Sequence, residues 1–119
     1  MPDDKYTLKY FNLAEFRCKC CGQAIMDAAF LARLDRARER AGVPMQITSG
    51  YRCPRHNAAV GSTSINHTSG KAADILAPNG PVRGKILRGL YQAGFRRIGV
   101  AKDFIHADIT DGVESCWLY

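Results

Sequence analysis

The sequence lacks the features that mark membrane and secreted proteins. No apolar run approaches the roughly 18 residues that a membrane-spanning helix needs, because Arg, Asp or Gly interrupts the longest stretches. The amino terminus, MPDDKYTLKYF, has two early acids and lacks the apolar segment of about 7 to 15 residues that a secretion signal requires. We therefore expect a chain that does not insert into membranes and is cytoplasmic when made.

Internal repeats, low-complexity tracts and long linkers are also absent. A length of 119 residues corresponds to about one domain. With 46% hydrophobic and 24% charged residues, the composition argues against disorder, collagen and coiled coil. We expect residues 1–119 to form a single domain that acts as a monomer.

The chain has few acids for its number of bases. Seventeen Lys and Arg against 11 Asp and Glu give a net charge of +6, which favours an anionic partner such as nucleic acid, anionic lipid or bacterial cell wall. A basic nucleic-acid binder would need a recognition helix or an interleaved aromatic platform. Neither pattern is present, so nucleic acid is not the expected partner.

The cysteine count is odd, so the cysteines cannot all pair within one chain. An odd count fits a reducing compartment. A thiolate zinc site is one interpretation, but neighbouring cysteines in the Cys-x-Cys-Cys run lack the usual gap of two to four residues between ligands. Free thiols, or one opportunistic disulfide, are the prediction. The five cysteines are Cys18, Cys20, Cys21, Cys53 and Cys116.

Hydrophobic spacing and end signals predict helices over 27–42, 54–60 and 81–94, and a capped turn between Asn12 and Glu15. Short β-rich segments follow or separate them. The predicted helices come early in the chain and the predicted strands cluster late. This order indicates an α+β domain, with helices packed on one face of a mainly antiparallel sheet. The expected strands cover 45–51, 72–76, 97–101 and 104–109, with a further strand through Trp117 and Tyr119.

Two of the three histidines lie in segments that suggest a metal site. His67 is in a loop, and Gly70 and two alanines lead from it to Asp74 on a predicted strand. Alone, this spacing fits a metal-binding pair no better than it fits a surface histidine and a structural aspartate. His106 in an apolar strand completes a set of three ligands with one negative charge and a fourth position open for water. Such a set is typical of catalytic rather than structural zinc.

A hydrolytic zinc site also needs a carboxylate that accepts and returns a proton. Asp103 and Asp108 are both candidates. Asp108 lies on the same side of a regular strand as His106, whereas Asp103 faces the metal only from a turn or bulge before the strand. Asp108 could instead fix a ligand imidazole from outside the ligand set. Arg52, at a strand end, could hold an oxyanion or a substrate carboxylate.

Together these segments resemble the zinc D-alanyl-D-alanine carboxypeptidase family, which includes L-alanyl-D-glutamate endolysins and shares its core fold with the hedgehog amino-terminal domain. The resemblance covers 11–119 and rests on Thr48-Ser49-Gly50-Tyr51-Arg52, on 67–74 and on Asp103-x-x-His106. It implies that His67, Asp74 and His106 hold one catalytic Zn²⁺. It also implies that Asp103 is the general base and acid and that Arg52 steadies the substrate carbonyl.

The resemblance further implies a substrate, namely bacterial peptidoglycan peptides that contain D-amino acids. Endolysin-type or carboxypeptidase activity is expected, acting on the cell wall after release from the cell. Many members have Ser two residues before the first ligand histidine, whereas this chain has Ile65 there and Ser64 one position earlier. That departure motivates an alternative interpretation, a non-catalytic zinc-containing module that binds wall peptide or a protein partner.

Overall fold

Three α-helices and a five-stranded sheet are formed in the computed structural model, which describes residues 8–60 and 66–119. A short 3-10 helix, Leu13–Phe16, precedes them. The helices are α1 (Ala28–Ala41), α2 (Pro54–Ala59) and α3 (Gly80–Gln92). The strands are β1 (Ile47–Ser49), β2 (Ala72–Leu76), β3 (Arg97–Val100), β4 (Phe104–Asp108) and β5 (Ser115–Leu118). These elements confirm the predicted α+β class.

Local capping chemistry fixes the helix ends close to where the sequence predicts them. Asp27 accepts a hydrogen bond from the Phe30 N–H at 2.9 Å, and Gly42 ends α1 with φ of 70°. A left-handed residue satisfies the last carbonyls of a helix, and glycine adopts that conformation without steric cost. The third helix begins at Gly80, one residue earlier than expected, because Asn79 caps it by accepting from the Val82 N–H.

The sheet order is β1-β2-β4-β3-β5. All neighbouring strands pair antiparallel except β3 and β5, which run parallel. The sheet is therefore mainly antiparallel, as the sequence predicts. Among the described residues no helix is long and apolar enough to cross a lipid bilayer.

The two faces of the sheet carry different chemistry. Ile75 and Ile105 belong to the buried core that also contains residues of α1 and α3. Successive side chains of a strand point to opposite faces, so Asp74 and His106 lie on the face away from that core. The helices themselves pack closely, since a Cβ on Gly89 of α3 would lie 2.3 Å from the Ala37 carbonyl oxygen of α1. This arrangement leaves the polar face of β2 and β4 free for a site.

Candidate metal centre

Asp74 and His106 meet because β2 and β4 are neighbours in the sheet. The strand register places the two residues directly opposite each other. Cross-strand partners have Cβ atoms about 5 Å apart, close enough for polar side chains to touch. Here the Nδ1 of His106 lies 2.9 Å from the Oδ1 of Asp74.

His67 reaches the same carboxylate from the turn that precedes β2. Its Nδ1 lies 2.8 Å from the Gly50 carbonyl oxygen. A carbonyl can only accept, so Nδ1 carries the proton and donates it. The other ring nitrogen, Nε2, lies 3.4 Å from the Oδ1 of Asp74 and is the nitrogen that remains available to a metal. The structure thus brings together the three residues that the sequence nominates as ligands.

The donor set fits zinc. One ligand atom from each of His67, Asp74 and His106 lies within 4.8 Å of the others, and both imidazoles are buried. Zinc in proteins is bound by His nitrogen and carboxylate oxygen at about 2.0 to 2.2 Å. Each imidazole has its second nitrogen held elsewhere, at Gly50 for His67 and at Asp108 for His106. Such contacts fix the ring orientation and leave one nitrogen for the metal.

The charges in the site favour an ionised Asp74. Burial raises the pKa of Asp74, but hydrogen bonds and charges from His106 and His67 outweigh it and hold that pKa far below its ordinary value. Burial lowers the pKa of His106, whereas its bonds to Asp108 and Asp74 raise it overall. Without metal, a protonated His106 thus donates its Nδ1–H to Asp74 and its Nε2–H to Asp108. A metal that binds the Nδ1 of His106 must displace the proton there.

Arg52 follows β1 and points its guanidinium to the edge of this cluster. Its Nε donates to the Ser49 hydroxyl and one terminal nitrogen donates to the Asn57 side-chain oxygen, both at 3.2 Å. The other terminal nitrogen lies 3.7 Å from the Oδ2 of Asp74. A guanidinium held on several sides loses little freedom when it binds an oxyanion. The cation is therefore fixed beside the oxygen of Asp74 that does not face the imidazoles.

The two candidate proton carriers, Asp103 and Asp108, lie in different environments. Asp103 is exposed on the bend directly before β4, and its carbonyl accepts from the Ala77 N–H at 2.8 Å. That bend is the feature Asp103 needs to approach the metal site. Asp108 is only 1% exposed, and its Oδ2 lies 2.7 Å from the Nε2 of His106. Asp108 thus makes the contact expected of a group that fixes a ligand imidazole.

The residues that form hydrogen bonds with Asp108 were not predicted from the sequence. Arg97 donates to it from Nε at 2.8 Å, and the Thr110 hydroxyl donates at 2.7 Å. Burial raises the pKa of Asp108, but its bonds to His106, Thr110 and Arg97 lower it overall. Arg97 and Asp108 are partners in the register of β3 and β4. Only knowledge of the strand order could have found this pair.

The metal cluster opens into a cleft of about 300 Å³. Trp117 and Tyr119 form part of its wall. The Ser64 and Ile65 positions, where the chain departs from the family pattern, lie outside the described residues. The described residues that line the cleft are Arg52, Asn66, His67, Asp74, Phe104, His106, Trp117 and Tyr119.

Comparison with known families agrees with this geometry. Residues 9–108, most of the chain, match the family described as Peptidase M15. The match includes every ligand candidate and both Arg52 and Asp103. A search of curated proteins finds no significant match. The chain therefore belongs to the Peptidase M15 family of zinc metallopeptidases.

Proposed function

We propose that this protein hydrolyses an amide bond in bacterial peptidoglycan peptides that contain D-amino acids, by an endolysin-type or carboxypeptidase activity. The observation that carries the proposal is the convergence of His67, Asp74 and His106 at an open cleft, with Arg52 fixed beside them. A closed structural site would have no such cleft.

His67, Asp74 and His106 are the proposed zinc ligands. The Nε2 of His67, an oxygen of Asp74 and the Nδ1 of His106 are the atoms that face one another. When bound there, zinc supplies a Lewis acid that polarises the substrate carbonyl and lowers the pKa of water to about 7. Three protein ligands with one negative charge would leave a fourth position open for water or substrate.

Asp103 is the proposed general base and acid. It stands three residues before His106 and directly before Phe104, which lines the cleft. A carboxylate there accepts a proton from the attacking water and returns it to the leaving amine. Asp103 is not among the described residues that line the cleft, so this role requires its exposed side chain to turn towards the cleft.

Arg52 is the proposed partner of the substrate oxygen that becomes negative. Hydrogen bonds to Ser49 and Asn57 hold its guanidinium before substrate arrives. Charge placed in advance where negative charge develops stabilises the transition state without reorganisation. The aromatic walls Trp117 and Tyr119 offer flat apolar surface to the peptide backbone and its small side chains.

Mass spectrometry of purified peptidoglycan fragments after digestion tests the proposal. The zinc-loaded parent should release new peptide termini and thereby show which bond is cut. His106→Ala should abolish release, whereas His56→Ala, which changes the one histidine outside the cluster, should leave it intact. Binding of fragments without turnover by the zinc-loaded parent would contradict the proposal and support a binding module.

A second comparison separates the roles of the acids. Asp103→Asn should retain zinc and lose turnover at any zinc concentration. Asp108→Asn should lose turnover mainly through weaker zinc binding, so that excess zinc restores part of it. Asp111→Asn, an exposed aspartate just beyond β4, is the matched control. Full turnover by Asp103→Asn would remove Asp103 from the proposed mechanism.

A further inference from the structure

Three of the five cysteines form a second cluster, at the start of α2. The sulfur atoms of Cys18, Cys21 and Cys53 lie within 4.8 Å of one another. The thiol of Cys20 interacts with that of Cys53 at the edge of the cluster. Cys18 and Cys21 are themselves separated by two residues, the gap common in zinc ligand pairs.

The backbone around these cysteines is arranged as a tight loop. The Gly22 N–H donates to the Cys18 carbonyl at 2.9 Å, and Gly22 has φ of 75°, a value that favours glycine. The Cys53 N–H points to the Cys18 sulfur at 3.4 Å, and the His56 N–H points to the Cys53 sulfur at 3.4 Å. Backbone N–H groups aimed at sulfur favour the thiolate, which is the form that binds metal.

We propose that Cys18, Cys21 and Cys53, with Cys20 as the fourth ligand, bind a second zinc ion that is structural. Sulfur-only donor sets of this kind hold zinc tetrahedrally in closed sites. With Zn–S bonds of about 2.3 Å, the sulfur atoms of such a site lie about 3.8 Å apart. The sulfur atoms of Cys18, Cys21 and Cys53 need to approach one another by about 1 Å at most, and the exposed Cys20, which lies outside this group of three, must turn its sulfur inward to complete the set.

The proposed ion would tie the chain around Cys18 to the segment that carries Arg52. Arg52 directly precedes Cys53, and the Tyr51 N–H donates to the Phe16 carbonyl at 2.9 Å. A Cβ on Gly50 would lie 2.6 Å from the Phe16 Cα, so the two backbones are already in close contact. Metal binding at the cysteines would therefore hold both Arg52 and the Gly50 carbonyl that orients His67.

Zinc content per chain, measured by elemental mass spectrometry on protein purified under reducing conditions, tests the proposal. The parent should hold two zinc ions, one for each cluster. His106→Ala should keep the cysteine-bound ion, and Cys53→Ser should lose it. Cys116→Ser, an exposed cysteine on β5, should keep both and is the matched control. No zinc in folded His106→Ala, or disulfide bonds among Cys18, Cys21 and Cys53, would overturn the proposal.

X-ray absorption at the zinc edge keeps the proposal testable if Cys53→Ser does not fold. The His106→Ala protein should show sulfur neighbours at about 2.3 Å. Nitrogen or oxygen neighbours alone would contradict the assignment. This result is independent of the proposed peptidase activity, because a protein without that activity would still show the sulfur neighbours.

Discussion

Asp74 is the residue on which the metal centre depends most directly. One of its oxygens faces both imidazoles and the other faces Arg52. A single carboxylate thus offers an atom to the proposed metal and lies beside the cation that we propose to bind substrate. The position opposite His106 in the strand register makes both contacts available at once.

Asp108→Asn tests the support of His106. The amide oxygen can still accept the Nε2 proton, but it carries no charge, so the imidazole becomes a weaker ligand. Zinc affinity should fall about 10- to 100-fold, the usual effect of losing an outer-shell carboxylate. Competition with a zinc-sensitive dye on protein shown to be folded measures the change. Asp111→Asn is the control and should bind zinc as the parent does. An unaltered zinc affinity in Asp108→Asn as well would assign Asp108 a structural role only.

Arg52→Lys tests the fixed cation. Lysine keeps the charge but loses the planar fork that bonds Ser49 and Asn57 at the same time. The turnover number on peptidoglycan peptides should fall about 10²- to 10³-fold, while zinc content stays at the parent level. Arg36→Lys on the exposed face of α1 is the control. A loss of zinc equal to the loss of turnover would show that Arg52 acts through the metal ligands instead.

At the scale of elements, the sequence predicts the features that depend on contacts between neighbouring residues, such as the ends of helices. The caps Asp27 and Asn79 act within one turn, so both helix starts were predictable to about one residue. The strand order was not predictable, because it depends on contacts between distant segments. The Arg97 bond to Asp108 was therefore missed, although the set of His67, Asp74 and His106 already suggested the metal site.

Gly70→Ala tests the turn that presents His67. Gly70 has φ of +73°, and a Cβ there would lie 2.4 Å from the Ile25 carbonyl oxygen. Gly42 has φ of +70° but open space around it, so Gly42→Ala carries only the left-handed strain of about 1 to 2 kcal/mol. Gly70→Ala should destabilise the fold more and should weaken zinc binding. Chemical denaturation with zinc titration measures both, and equal effects of the two variants would contradict this view of the turn.

At the scale of the whole molecule, the excess of basic residues bears on the partner that the protein binds. A net charge of +6 should draw the protein to anionic wall polymers, and salt should weaken the attraction. The paired charges of the site also link the stability of the fold to pH. They do so in opposite directions for the histidine and the carboxylates.

Stability of the metal-free protein should be highest between about pH 4 and pH 6.5. The raised pKa of His106 stabilises the fold below its ordinary value of 6.5, and this contribution is lost as the pH rises through the folded-state pKa. The lowered pKa values of Asp74 and Asp108 stabilise it above 3.8, and this is lost as the pH falls through the folded-state values.

Thermal melts of chelator-treated protein across this range measure the profile. His106→Gln should remove the decline on the alkaline side, and His56→Ala should retain it. Zinc should shift the stable range upwards, because its ligands must be unprotonated. A flat profile in the metal-free parent would show that the cluster is not coupled to folding.

The most direct test of the metal centre is anomalous diffraction at the zinc edge from crystals of the zinc-loaded protein. We expect a peak about 2.0 to 2.2 Å from the Nε2 of His67, an oxygen of Asp74 and the Nδ1 of His106. Its absence there in a zinc-loaded crystal, or a peak that contacts fewer than all three residues, would contradict the account.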